Sequence, residues 1–206
     1  MSFMTDKIMN AEHVSEYSML VNGNLTVEHA EIVWPNFSGR PTKANPSGGK
    51  QLFNLVLSEE MGARLFDMGW NIKVKEIRDN YDRDEQTMTV NWDVYDGQYR
   101  NVFDHALIYV EVIVNGNGDN PPTIYRASEY DGEKTMAPVP VDHWGDLDKY
   151  MMTDITVTVH PWLHGRNALK PDAKKPYLNT LIAKMQPVVN GASLGNTYSD
   201  YRVVGA

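Results

Sequence analysis

The chain has no cysteine among its 206 residues, which excludes disulfide staples, thiolate metal centres and cysteine nucleophiles. It has no run of about 18 apolar residues, so no membrane-spanning helix is expected. Residues 1–10 lack a basic stretch followed by an apolar one, so no secretory leader is expected. These absences fit a protein of a reducing cytoplasm. There is no Gly-x-Ser-x-Gly elbow and no Gly-x-x-x-x-Gly-Lys-Ser/Thr phosphate loop. His160 and His164 have the spacing of zinc ligands on a helix. Pro161 separates them, however, and no glutamate follows His160, so a zinc hydrolase is not indicated. The residues point to no enzyme, no metal and no cofactor.

Negative charge is missing from one region in particular. The chain carries 27 acidic and 19 basic residues, a net -8. Residues 35–58 nevertheless contain Arg40, Lys43 and Lys50 and no acid. Residues 160–186 carry Arg166, Lys170, Lys174, Lys175 and Lys184 against Asp172 alone, which leaves -15 for the other 155 residues. An acidic body with two basic segments can bind a phosphate backbone locally and still stay soluble.

What is present reads as a β-rich chain of one domain. Leu25 to Trp34 alternates as a strand before Pro35, and Lys50 to Leu57 is the next. Ser58 caps a helix with Glu59 and Glu60 in its first turn; Met61, Leu65 and Met68 share a face, and Gly69 ends it. Beyond Trp70, Ile72 and Val74 face one side and Lys73 and Lys75 the other. Thr87 to Tyr95 alternates, and Ala106 to Val114 is apolar enough for a central strand. Thr123–Ser128 and Glu133–Met136 flank Asp131-Gly132 as a hairpin. Leu147 to Met151 reads as a short turn. Ile155, Val157 and Val159 mark a strand ending at Pro161, and Lys174 to Met185 is a short helix or strand. The expected organisation is an N-terminal arm (1–24), a folded domain (25–186) and a flexible tail (187–206).

The loop from Asn36 to Gly49 holds three glycines and two prolines and joins basic residues to aromatic ones. Basic and aromatic side chains together suit single-stranded nucleic acid, whose charge and exposed bases they match. Phe37, in a polar loop beside Ser38, Gly39 and Arg40, is either a plug returning to the core or a base-stacking platform. Lys73 and Lys75, next to Trp70, either line a groove or form the solvent face of their strand. Lys174, Lys175 and Tyr177 repeat the basic-aromatic association in the second positive segment. Asp79, Asp82, Asp84 and Glu85 are the best carboxylate cluster, but Thr87 occupies the sixth position, where a calcium loop needs glycine, and a solvated turn is the preferred reading.

The order Asn36-Phe37-Ser38-Gly39, then Gly48-Gly49-Lys50-Gln51-Leu52-Phe53-Asn54-Leu55, then a capped helix and Gly69-Trp70-Asn71-Ile72-Lys73, resembles the single-stranded DNA-binding proteins of tailed bacteriophages. The likeness is to the group typified by phage Enc34, and it extends over residues 26–186. It implies a mainly β fold, an OB-like five-stranded β-barrel with one short helix and an added hairpin. It also implies a protein that coats phage DNA in replication or recombination, with single-stranded DNA as partner, phage replication proteins and further copies of itself as others, and no membrane. On this resemblance the DNA-binding residues are Phe37, Arg40, Lys43, Lys50, Trp70, Lys73 and Lys75, joined by Lys174, Lys175 and Tyr177 from the second basic segment. Two other readings stay open: a β-rich phage structural or assembly component, and a metal-dependent DNA-processing enzyme using the carboxylates of 79–85.

Overall fold

The computed structural model describes residues 11–15, 18–21, 23–43, 46–77, 87–91, 105–117, 120–130, 132–163 and 174–188. Among them the chain is mainly β, with twelve strands in one mixed sheet and two helices. In chain order these are β1 (Ala11–Ser15), β2 (Ser18–Val21), β3 (Asn24–Ala30), β4 (Ile32–Asn36), β5 (Leu52–Leu57), α1 (Glu59–Asp67), β6 (Ile72–Ile77), β7 (Thr87–Asn91), β8 (His105–Ile113), β9 (Thr123–Tyr130), β10 (Glu133–Pro138), a 3-10 helix (Val141–Lys149), β11 (Tyr150–Leu163) and β12 (Lys174–Pro187). No helix among the described residues is long and apolar enough to cross a membrane.

β8 organises the middle of the sheet. It runs antiparallel to β5 on one edge, with Phe53 opposite Val112, Leu55 opposite Val110 and Leu57 opposite Ile108. On its other edge it pairs with β6, with Ile72 opposite Val110 and Val74 opposite Ile108. Further along that edge Tyr177 of β12 pairs in parallel with Ile113. Side chains directly opposite each other share a face, and the face reverses at every residue. One face of these strands therefore carries Phe53, Leu55, Ile72, Val74, Val110 and Val112, all inside the main core. The other face carries Asn54, Val56, Lys73, Lys75, Tyr109 and Glu111.

The long pair β11–β12 is antiparallel with two register shifts. Ile155, Val157 and Val159 are buried while Thr156 and Thr158 are half-buried, which is the alternation the sequence predicts. β11 does not stop at Pro161 but continues to Leu163. Among the described residues the pairing of β11 with β3 ends at Val159, so Pro161 lies beyond that ladder, at the kind of edge position where proline is tolerated. Residues 174–187 form a strand, not a helix. The expected short turn at 147–151 lies at the end of the 3-10 helix, whose Trp144, Leu147 and Asp148 are buried.

α1 is built as its sequence predicts. The Ser58 hydroxyl accepts from the Met61 N–H at 3.1 Å, Met61 and Leu65 are buried, and Gly69 leaves the helix with φ +83°. The β9–β10 hairpin forms around Gly132, with every residue of β10 exposed. Within the expected arm, β1 and β2 form a hairpin whose second strand lines up along β3.

Candidate nucleic-acid interface

The Asn36–Arg40 turn, the most distinctive stretch of the sequence, is held from several sides. The Asn36 carboxamide spans it: Oδ1 accepts from the Arg40 N–H at 2.9 Å and Nδ2 donates to the Arg40 carbonyl at 2.9 Å. Gly39 takes φ +67°, a left-handed conformation that disfavours any side chain. Its carbonyl accepts from the Gly49 N–H at 2.6 Å, closing the neck of the loop. From the 3-10 helix, Asp148 receives two backbone N–H groups, Phe37 at 2.8 Å and Ser38 at 3.1 Å. Asp148 is 4% exposed, and this charge-assisted pair satisfies a carboxylate that would otherwise be costly to bury. Gln51 donates to the Phe37 carbonyl at 2.6 Å.

This turn drives Phe37 inward. Its ring is fully buried and packs on Phe53 with centroids 5.8 Å apart. Of the two readings left open, the structure takes the plug, and the expectation of a stacking platform at Phe37 is corrected. Trp70 is corrected likewise: it is 2% exposed and belongs to the core. The reason is parity. Trp70 lies an even number of residues from Ile72 and Val74, the core-facing side chains, and so opposes Lys73 and Lys75. Its indole N–H has no hydrogen-bond partner among the described residues.

The aromatic group that does share the lysines' face is one the sequence reading missed. Trp34, in β4, packs edge-on against Tyr109 of β8, with centroids 5.4 Å apart and planes at 77°. The Lys75 ammonium lies 4.4 Å from the Trp34 ring centroid, a cation–π contact. Around them Val33, Leu107, Tyr109, Trp34 and Val56 make a second, smaller apolar cluster outside the main core. Trp34 reaches this face because its backbone has φ +46°, and the register of β4 against β5 shifts between Val33 and Asn36. A left-handed tryptophan is uncommon and strained. That bend could not be read from an alternation pattern.

Beside this cluster lies a charged group centred on Glu111. Its carboxylate pairs with Lys50, two residues before β5, and lies 3.8 Å from Lys73 of β6. Burial works to raise the Glu111 carboxyl, but the Lys50 hydrogen bond and the charges of Lys73, Lys50 and Lys175 outweigh it and hold the group below its ordinary value. Burial pushes the Lys75 ammonium in the opposite sense, below the usual lysine value. Lys175 and Tyr177 are half-buried on β12, and Tyr177 stacks on His160 at 5.9 Å and 28°.

The structure thus brings Lys50, Lys73, Lys75, Lys175 and Tyr177 towards one face of the sheet. Arg40 and Lys43 are exposed on the loop beyond the Gly39–Gly49 neck. Lys174 is placed at the first position of β12, opposite Leu163. The carboxylates 79–85 and His164 lie outside the described residues.

With this geometry in view, residues 15–127 match the model of the family described as "Putative phage ssDNA-binding domain", more than half of the chain. The chain belongs to this family. Single-stranded DNA binding is the function that membership assigns, and the matched segment contains the Asn36–Gly39 turn, Trp34, Lys50, Lys73, Lys75, Tyr109 and Glu111. No curated protein matches the chain in sequence. Solved structures similar to it include three of the single-stranded DNA-binding protein from bacteriophage Enc34. The complex with ssDNA is 10% identical, covering 88% of this chain and 97% of that one, with a TM-score of 0.44. A second structure of that protein is 9% identical, covering 92% and 95%, with a TM-score of 0.40. A C-terminal truncation is 10% identical, covering 86% and 96%, with a TM-score of 0.39.

Proposed function

We propose that the protein coats single-stranded phage DNA during replication or recombination, without sequence preference and without catalysis, through the outer face of β5, β8 and β6. The observation that carries this reading is the joining of lysines to the half-buried Trp34 and Tyr177 on one sheet face, with the buried Tyr109 backing Trp34. Lysines neutralise phosphate in any sequence. Aromatic faces stack on any base, contributing roughly 1–3 kcal/mol per base. Lys50, Lys73, Lys75 and Lys175 supply the charge in this reading, and Arg40 and Lys43 extend it along the loop.

The same reading treats residues 24–36 as one bent strand. β3 pairs with β11 and β4 with β5, and only Glu31 separates β3 from β4. The order β3/β4, β5, β8, β12, β11 then returns to its start, with β8 and β12 parallel. That cycle supports a five-stranded OB-like barrel in which α1 and the β6–β7 hairpin are additions. Oligonucleotides bind OB folds across strands 2 and 3 and the loops beside them, which here are β5, β8 and the 37–51 loop.

An electrophoretic-mobility assay on single- and double-stranded oligonucleotides at several salt concentrations tests the reading. Retention of oligo-dT is expected to fall steeply with salt. In Lys73→Ala/Lys75→Ala, affinity should fall for every sequence. The salt slope should drop by about 0.7 for each phosphate no longer neutralised, with the melting temperature nearly kept. No shift at low salt overturns the proposal, and unchanged affinity in the folded double variant removes this face from it.

A further inference from the structure

Glu111 is out of place on a surface meant for a polyanion. It is the acid that the Lys50 and Lys73 ammonium groups both approach, and Lys175 adds its charge from β12. Lys50 is 38% exposed and Glu111 21%, so the pair lies at the surface, within reach of a phosphate. We propose that Glu111 is an affinity-limiting residue: an internal counter-charge that occupies Lys50 and Lys73 and keeps the protein's hold on single-stranded DNA weaker than its lysines allow. This inference rests on the DNA-binding face proposed above.

The physical case is competition. A carboxylate and a phosphate oxygen present the same charge-assisted acceptor to an ammonium group. Lys50 and Lys73 cannot serve a phosphate fully while Glu111 stays charged between them. With Glu111 the group of Lys50, Lys73 and Lys175 offers the strand a net charge of two, and without it three. For a protein that must later yield the DNA, a lower affinity with faster release is the useful outcome, and interface changes of this kind act mainly on the dissociation rate.

A second acidic cluster supplies the control. Lys184, near the other end of β12, pairs with Asp154 at 2.8 Å and with Glu129 at 3.3 Å. Lys184 is nine residues along β12 from Lys175, about 30 Å at the rise of a strand. That is several screening lengths at physiological salt. Glu129→Gln removes the same unit of charge from a comparable pair without touching the proposed face.

The experiment compares wild type, Glu111→Gln and Glu129→Gln for affinity, dissociation rate and salt slope on oligo-dT, with melting temperatures recorded. Glu111→Gln is expected to bind about tenfold tighter at low salt, to dissociate more slowly, and to steepen the salt slope by about 0.7, the increment for one more neutralised phosphate. Glu129→Gln should stay within twofold of wild type. If Glu111→Gln does not fold, Glu111→Thr makes the same charge change with a side chain suited to a strand and carries the same expectation. Wild type that binds alongside a folded Glu111 variant with equal or weaker affinity overturns this inference alone. An equal gain in Glu129→Gln overturns it too, since net charge would then be the cause. Wild type that fails to bind overturns the proposed function itself.

Discussion

Two aromatic pairs, each joining β4 or the loop after it to a central strand, have opposite fates in this protein. Phe37 and Phe53 meet at 5.8 Å in the main core. Trp34 and Tyr109 meet at 5.4 Å on the reverse face, with Lys75 over the tryptophan. Only two residues separate Trp34 from Phe37, yet one pair packs in the main core and the other shares the lysines' face. The difference teaches that the segment most distinctive in sequence is distinctive for its packing. Asn-Phe-Ser-Gly is distinctive because a plug, a carboxamide bridge, a left-handed glycine and an Asp148 anchor all meet there, and few residue types satisfy each demand.

The comparison breaks most easily at Phe37. Phe37→Ala should cost about 3–5 kcal/mol of stability, the usual range for emptying a core aromatic site, with affinity per folded molecule unchanged. Chemical denaturation together with a binding titration corrected for the folded fraction checks it. A drop in intrinsic affinity at full folding would put Phe37 back in the interface. Trp34→Leu should do the reverse, costing roughly 1–3 kcal/mol of binding if one base stacks there, while stability changes less. Fluorescence quenching by oligo-dT, lost in Trp34→Leu, is the accompanying signal.

The smallest effect is on acid stability. Glu111 is held below its ordinary value in the fold, so its favourable contribution is complete above that value and is lost as the pH falls through the lower folded one. The stability gap between wild type and Glu111→Gln should therefore narrow as pH drops below about 4.3. Paired denaturation curves across that range measure it. A gap that stays constant would mean that the lysine pairs contribute nothing to the fold.

Much of the fold was legible because alternation records it directly. The strands at 52–57, 72–77, 105–113 and 123–138 and the Ser58-capped helix follow from period and capping alone. What escaped depends on backbone exceptions or on partners distant in the chain. Trp34 turns outward through a positive φ that no pattern announces. Asp148 anchors Phe37 from more than a hundred residues away, and Glu111 meets Lys50 across β5 and β8 through pairing alone. Trp70 is a different kind of miss. Its even spacing to Ile72 and Val74 placed it in the core, and its nearness in sequence to Lys73 outweighed that parity in the reading. The lysines were recognised by charge, since a run of 24 residues without an acid needs no structure to be seen.

The neck between Gly39 and Gly49 makes the loop a module with its own closure. Its 2.6 Å bond, with the Asn36 bridge to the Arg40 backbone below it, closes the base of the loop. Arg40, Pro41, Thr42 and Lys43, at and beyond the neck, are exposed. Loop closure there is already made, and lengthening a closed loop costs little, roughly 0.6 kcal/mol per doubling. A graft that keeps Asn36, Gly39 and Gly49 is therefore expected to carry a different loop on the same body.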